Sequence, residues 1–276
     1  IMEHLRGLNE EQRKAVLEGD GATLVVAGPG SGKTRTIVHR ICHQLDKGVP
    51  PERMLLLTFT NKAASEMKRR TKDLSGDVAS RITAGTFHHF SNLLLRRHAT
   101  SAGLNPRFTI LDEEDSITVL VRVAKRSFSD AKRAFASSLM RAISLSKLRM
   151  QPISEIIMGE PDFFQMSRYV EEAESISFGY AQEKKAMDAV DFDDLLVLSY
   201  SLFQNNPHIL SHCRSVYSDI LVDEFQDTDK LQASFISLLY PPESPGAARN
   251  LMVVGDDSQS IYSFRGADIR NMLEFR

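Results

Sequence analysis

The chain has 276 residues, 42% hydrophobic and 25% charged, the profile of an ordinary globular protein with room for one large domain or two modest ones. With 34 basic against 36 acidic residues the net charge is −2, which excludes a global basic field, so any nucleic-acid partner must be held by a local patch. Cys42 and Cys213 stand too far apart in sequence for a disulfide framework or metal spacing, no apolar run approaches the roughly 18 residues of a membrane span, and the first thirty residues lack a leader pattern; a cytoplasmic protein without membrane contact is expected.

In chain order, the apolar runs Thr23 to Ala27 and Met54 to Thr58 read as buried parallel strands, with a helix from Lys33 to about Asp46 between them. From Asn105 to Ala189 the pattern changes. That stretch holds two glycines, Gly159 and Gly179, and one short strand-like segment, Phe108 to Leu111. Asp112 is placed to cap a helix whose first turn carries Glu113, Glu114 and Asp115, where the helix dipole favours acids. Helices from Asp130 to about Lys147 and from about Asp162 to Met187 are expected to follow. Strand runs resume at Ile220 to Val222 and Leu251 to Val254, separated by a proline-rich surface loop starting at Pro241. Alternating strand and helix predict an α/β domain with a parallel sheet, carrying an inserted all-helical subdomain.

The segment LVVAGPGSGKT sets Gly28, Gly30 and Gly32 between a strand and a helix, with Lys33 and Thr34 at the turn. Glycines let backbone N–H groups converge on phosphate oxygens, Lys33 can reach the β- and γ-phosphates, and the Thr34 hydroxyl can ligate Mg²⁺. Ala27 stands where the strict pattern has glycine. The segment ILVDEFQDT places Asp223 at a strand end to hold the magnesium shell and Glu224 beside it to deprotonate an attacking water. A phosphotransferase would instead need an acceptor site. His88 and His89 are adjacent, so their side chains diverge and no metal centre is expected. Asp191, Asp193 and Asp194 sit at a helix start, as capping groups do. From Arg122 to Arg149 eight basic residues face one acid, Asp130, a patch able to contact duplex backbone.

Seven ordered blocks carry a resemblance to a known family: LNEEQRKAV (8–16), AGPGSGKTR (27–35), LTFTNKAASEM (57–67), GTFHHF (85–90), VDFDDLL (190–196), ILVDEFQDTD (220–229) and VGDDSQSIYSFRGAD (254–268). The chain resembles the N-terminal half of a superfamily 1 DNA helicase of the UvrD/Rep/PcrA type. The resemblance implies a RecA-like P-loop domain, 1A, over 1–108 and 190–276, and a helical subdomain, 1B, over 109–189. It implies ATP and Mg²⁺ as cofactors, with nucleotide held by Gln12, by the loop Ala27, Gly28, Pro29, Gly30, Ser31, Gly32, Lys33 and Thr34, and by Arg35. Gln12 would read the adenine edge, Arg35 would pack against the base, and Gln259 would sense the γ-phosphate beside Lys33 and Glu224.

For single-stranded DNA or a single/double-strand junction, the resemblance points to Phe59, Thr60, Asn61, His88, Tyr262, Phe264 and Arg265. Stacking on aromatic side chains contributes about 1–3 kcal/mol per base and tolerates any sequence, which suits a translocating motor. The family has tryptophan where Phe264 stands, so a smaller stacking face is expected there; Arg265 would bind phosphate or buttress the loop. Family members continue into a second RecA-like domain that supplies arginine fingers, so residues 1–276 alone are expected to bind nucleotide weakly and hydrolyse it very slowly. The whole protein is expected to translocate 3′→5′, with a RecB/AddA-like helicase–nuclease as the alternative within the class and a P-loop phosphotransferase outside it.

Overall fold

The computed structural model describes residues 5–18, 20–28, 30–128, 133–240 and 249–256. They form two compact units: the described residues of Ile1–Phe90 and Asn206–Arg276 make one, and Ser91–Asn205 the other. The chain runs through α1 (Glu10–Leu17), β1 (Ala22–Val26), α2 (Lys33–Asp46), β2 (Met54–Thr58), α3 (Asn61–Ser75) and β3 (Thr83–Thr86). Next come α4 (Phe87–Arg97), β4 (Thr109–Ile110), α5 (Glu113–Ala124), α6 (Arg133–Arg149), α7 (Ile153–Gly159), α8 (Val170–Ala186), β5 (Ala189–Val190) and α9 (Phe192–Asn205). The chain then continues through α10 (Pro207–Val216), β6 (Asp219–Val222), α11 (Lys230–Leu239) and β7 (Asn250–Gly255).

In the first unit five described strands form one parallel sheet in the order β1-β7-β6-β2-β3. Register explains how it is covered. Leu56, Leu221 and Met252 lie side by side across β2, β6 and β7, and they share a core with Ile37 and Ile41 of α2 and Met67 of α3. Their alternate neighbours Leu57, Val222 and Val253 point to the opposite face and are equally buried, as the two-residue period of a strand requires. At the amino end of the sheet the Asp219 carboxylate accepts from Gln44 Nε2 (2.5 Å), Asn250 Nδ2 (2.7 Å) and Ser218 Oγ (2.6 Å), joining α2, β6 and β7.

Two sheet features depart from the sequence reading. β1, expected to be buried, pairs among the described residues with β7 alone and is half exposed, with Val26 at 55%. β3 was not expected, because Thr83-Ala84-Gly85-Thr86 has no bulky apolar run; it forms because β2 offers it a parallel edge. Gly85 is needed there, since a Cβ would fall 2.6 Å from the His89 ring.

The second unit packs α5, α6, α7 and α8 around Leu120, Ala136, Leu139, Ile157 and Ile176. Asp112 caps α5 by accepting from Asp115 N at 2.8 Å. A Cβ on Gly179 would lie 2.8 Å from Val123 Cγ1, so glycine lets α8 approach α5 closely. The expected long helix from Asp162 is split: Pro161–Tyr169 is 3-10 and α8 starts at Val170. α7 went unread because proline and glycine flank its short run. Residues 91–108 and 190–205, assigned by sequence to the sheet domain, group with the helical unit; α9 packs on the turn at Thr100–Ala102, and β4 pairs with β5.

Candidate functional site

The carboxyl ends of all five strands lie along one edge of the sheet, the edge where open parallel sheets bind ligands. At β1 the Ala27 N–H donates to Gly255 O (3.0 Å), and the chain then turns through Gly30 and Gly32, with φ of 72° and 86°. Ser31 Oγ closes the turn on Gly28 O at 2.6 Å. Gly32 is the N-cap of α2, so the unsatisfied N–H groups and positive end of that helix face the loop. Gly32 suits this position because its φ is left-handed, and a Cβ there would also displace the Gln12 amide, falling 2.5 Å from Nε2.

Gln12 is held from both ends. Asn9 Oδ1 accepts from Gln12 N (2.8 Å) and Gln12 Oε1 accepts from Asn9 N (3.1 Å), a capping box that starts α1. Its Nε2 donates to Ser31 O at 2.7 Å, so α1 is latched onto the loop. Arg35, exposed on the first turn of α2, reaches Arg6 O at 3.5 Å. Thr34 is half-buried beside it. Pro29 lies outside the described residues.

The acidic partner arrives on β6. Asp223 N donates to Leu57 O at 3.0 Å, and the Asp223 carboxyl is buried, its Oδ1 without a hydrogen-bond partner among the described residues. Glu224 adopts a φ of 50°, a left-handed backbone unusual for glutamate and typical of functional turns. Lys33 Nζ lies 3.2 Å from Glu224 Oε2 and 3.9 Å from Asp256 Oδ2 at the end of β7. Gln226 Nε2 donates to Glu224 Oε2 (2.6 Å), and Gln226 Oε1 accepts from Asp256 N (2.9 Å). Among the described residues, Lys33 thus contacts Glu224 and Asp256 and acts electrostatically on Asp223 and Asp227. Burial and the neighbouring Glu224 carboxylate push both Asp223 and Asp227 up to about 6.

A hard cation fits this surplus of acid. No three His, Cys, Asp or Glu side chains among the described residues gather to cage an ion. Asp223, with its unpartnered buried oxygen, and Thr34 are the residues that could hold such a cation.

The other flank of the edge carries the residues assigned to DNA. Phe59, Thr60 and Asn61 follow β2, and His88 follows β3 in the first turn of α4. Phe59 and His88 are half-buried and Asn61 is exposed. Thr60 has a second task, since its side chain caps α3 by accepting from Ala63 N at 3.1 Å. β2 and β3 lie three and four strand spacings from β1, roughly 14 and 19 Å, so these residues are displaced along the edge from the glycine loop. Gln259, Tyr262, Phe264 and Arg265 lie outside the described residues.

The model of the UvrD/REP helicase N-terminal domain matches residues 8–276. The chain belongs to this family. It is 39% identical over 272 residues to the ATP-dependent DNA helicase PcrA of Staphylococcus aureus, covering 98% of this chain and 36% of that protein. The PcrA of Staphylococcus epidermidis matches equally, at 39% over the same shares. The chain thus spans about a third of the length of these relatives.

In this UvrD-type domain two groups outside the glycine loop look different in three dimensions. Asp191 and Asp194 do cap α9, each accepting from the other's N–H at 2.8 and 3.0 Å. They also form a buried cluster with two lysines: Lys147 Nζ lies 2.9 Å from Asp191 and 2.8 Å from Asp194, while Lys184 Nζ meets Asp191 at 2.5 Å and also contacts Asp194. Among the described residues, the arginines of the basic stretch 122–149 are all in ion pairs. Arg122 and Arg126 both pair with Glu183 at 2.8 Å, Arg133 with Glu114 at 3.3 Å, Arg141 with Asp162 at 2.8 Å, and Arg149 with Glu160. Those acids lie outside the stretch in sequence, mostly on α8 and around α7, which is why composition overstated its charge.

Gln226, Asp227 and Asp256 joined the site only in the structure. The glutamine's signal was its place two residues after Glu224, inside a motif already singled out.

Proposed function

We propose that this chain is the nucleotide-binding part of a cytoplasmic, ATP-dependent DNA helicase that translocates 3′→5′ on single-stranded DNA and works at single/double-strand junctions. The sheet unit corresponds to domain 1A and the helical unit to 1B. The observation that carries the reading is Lys33 on Glu224 beside the buried, unpartnered Asp223 oxygen. The PcrA proteins, ATP-dependent DNA helicases by name, supply the context.

The chain's own residues divide the work. The loop N–H groups from Gly28 to Thr34 and the α2 N-terminus cradle phosphates, Gln12 faces the adenine, and Arg35 packs beside the base. Lys33 exchanges Glu224 for a phosphate oxygen when nucleotide enters, which releases the Glu224 carboxylate to take a proton from the attacking water. Thr34 and Asp223 would hold Mg²⁺, which would supply positive charge against the phosphates. Phe59 to Asn61 and His88 contact the single strand, with Gln259, Tyr262, Phe264 and Arg265 completing the nucleotide and DNA contacts. Residues 1–276 alone bind nucleotide but turn it over very slowly, because arginine fingers are worth about 10³–10⁵ in rate and come from a second domain.

The test is DNA-stimulated ATP hydrolysis and unwinding by the full-length protein on tailed duplexes of both polarities. Lys33→Ala is expected to lower hydrolysis about 100- to 1000-fold. Hydrolysis undiminished by that change, or unwinding only from 5′ tails, contradicts the corresponding part of the reading.

A further inference from the structure

Gln226 is buried, and its side-chain amide spans two strand ends. On one side its Oε1 accepts from the Asp256 N–H at 2.9 Å, at the end of β7. On the other its Nε2 donates to Glu224 Oε2 at 2.6 Å and lies 3.3 Å from Asp227 Oδ2. The same Glu224 oxygen receives Lys33 Nζ at 3.2 Å. Two donors therefore converge on one carboxylate oxygen, and only one of them, Lys33, is a group that a phosphate can draw away.

We propose that Gln226 is a positioning residue for the water-activating glutamate: it holds the Glu224 carboxylate in place after Lys33 leaves for the nucleotide, and it ties that carboxylate to the end of β7. The inference rests on the reading of Glu224 as the general base. Three features of the geometry support it. Glu224 sits at a left-handed φ of 50°, and such a residue keeps its conformation only where surrounding bonds over-determine it. Gln226 supplies one of these bonds, and Asp227 N to Glu224 O at 2.9 Å supplies another. An amide is also the side chain that fits, because the position needs an acceptor toward a backbone N–H and a donor toward a carboxylate at once. Glutamate would keep the first bond and set a like charge against Glu224; leucine would lose both. Finally, Asp256 Oδ2 lies 3.9 Å from Lys33 Nζ, so the β7 bond ties the base to the strand end that also meets the lysine.

The experiment uses the full-length protein and reads steady-state DNA-stimulated hydrolysis together with equilibrium binding of a fluorescent N-methylanthraniloyl ADP. Gln226→Glu is expected to lower kcat about 100-fold, as a displaced catalytic group does, while KM and the ADP affinity stay within about threefold. Gln226→Asn, which keeps the amide on a shorter stem, is expected to recover part of the lost kcat. Gln226→Glu retains the β7 bond, so it keeps the test decisive even if Gln226→Leu does not fold. An unchanged kcat in Gln226→Glu overturns the inference, and so does a parallel loss of kcat and ADP affinity, which would mark a purely structural residue. Lys33→Ala separates this from the function itself: if that variant hydrolyses ATP undiminished the helicase reading falls, whereas if its hydrolysis drops as expected and Gln226→Glu is not impaired, only the role of Gln226 falls.

Discussion

Two clusters of acids and lysine among the described residues, one in each unit, are balanced in opposite ways. In the helical unit Lys147 and Lys184 meet Asp191 and Asp194 pair for pair, with Tyr180 Oη donating to Asp191 at 3.1 Å. Burial pushes the Asp191 carboxyl up, but the two lysines outweigh it and hold it well below the usual range. Among the described residues of the sheet unit, Lys33 contacts Glu224 at 3.2 Å and Asp256 at 3.9 Å, while Asp223 is pushed up to about 6 by burial and by Glu224. Motifs of similar composition thus do different things. A compensated cluster is finished and holds helices together; an undercompensated one has capacity left for a cation and a phosphate.

The sharpest way to break the contrast is to unbalance the finished cluster. Asp191→Asn leaves two buried lysines short of charge and is expected to cost about 3–5 kcal/mol of stability, read by urea denaturation, without lowering nucleotide affinity under conditions where the protein is folded. Glu224→Gln in the full-length protein is expected to leave stability almost unchanged and to lower hydrolysis about 10²–10⁴-fold, measured by phosphate release. Asp223→Asn should do what no change in the helical cluster can: raise stability by about 1–3 kcal/mol at pH 7.5 without Mg²⁺, while weakening Mg²⁺-dependent nucleotide binding.

The same two aspartates predict opposite responses to pH. The folded pKa of Asp223 lies above its ordinary 3.8, so its contribution is fully present below 3.8 and is lost as pH rises through about 6. Asp191 is depressed, so its contribution is present above 3.8 and is lost as pH falls toward its folded value. Thermal melts without Mg²⁺ should therefore show Asp223→Asn gaining on the wild type as pH rises from 4 to 7. Asp191 should matter for acid unfolding below about 4. The smallest effect belongs to the exposed surface pairs. Arg141→Ala, breaking the contact with Asp162, should change stability by less than about 1 kcal/mol in the same denaturation assay.

How far the sequence was legible depended on whether a signal was local. α2 occupies Lys33–Asp46 as read, because a glycine turn fixes its start and its apolar spacing is regular. β2, β6 and β7 stood out as runs of leucine, isoleucine and valine. β3 did not, since Thr83 to Thr86 becomes a strand only when β2 lies alongside. Asp191 and Asp194 were readable as caps, which act within four residues, but their pairing with Lys147 needed α6 to fold back across some forty residues. For the same reason the basic stretch looked open until Glu183 and Glu160 were seen against it.

By itself the sequence determined the fold class, the glycine loop with Lys33 and Thr34, and the acid pair Asp223 and Glu224, because each is written in adjacent residues whose chemistry acts over a single turn. Tertiary structure decided how charge is balanced. The parallel register sets the ends of β1, β6 and β7 side by side, bringing Lys33 to Glu224 across 191 positions and Gln226 to Asp256 across 30. Burial, a property of the packed sheet and not of the motif, then leaves the Asp223 oxygen without a partner and turns an acidic motif into a site with capacity for a cation.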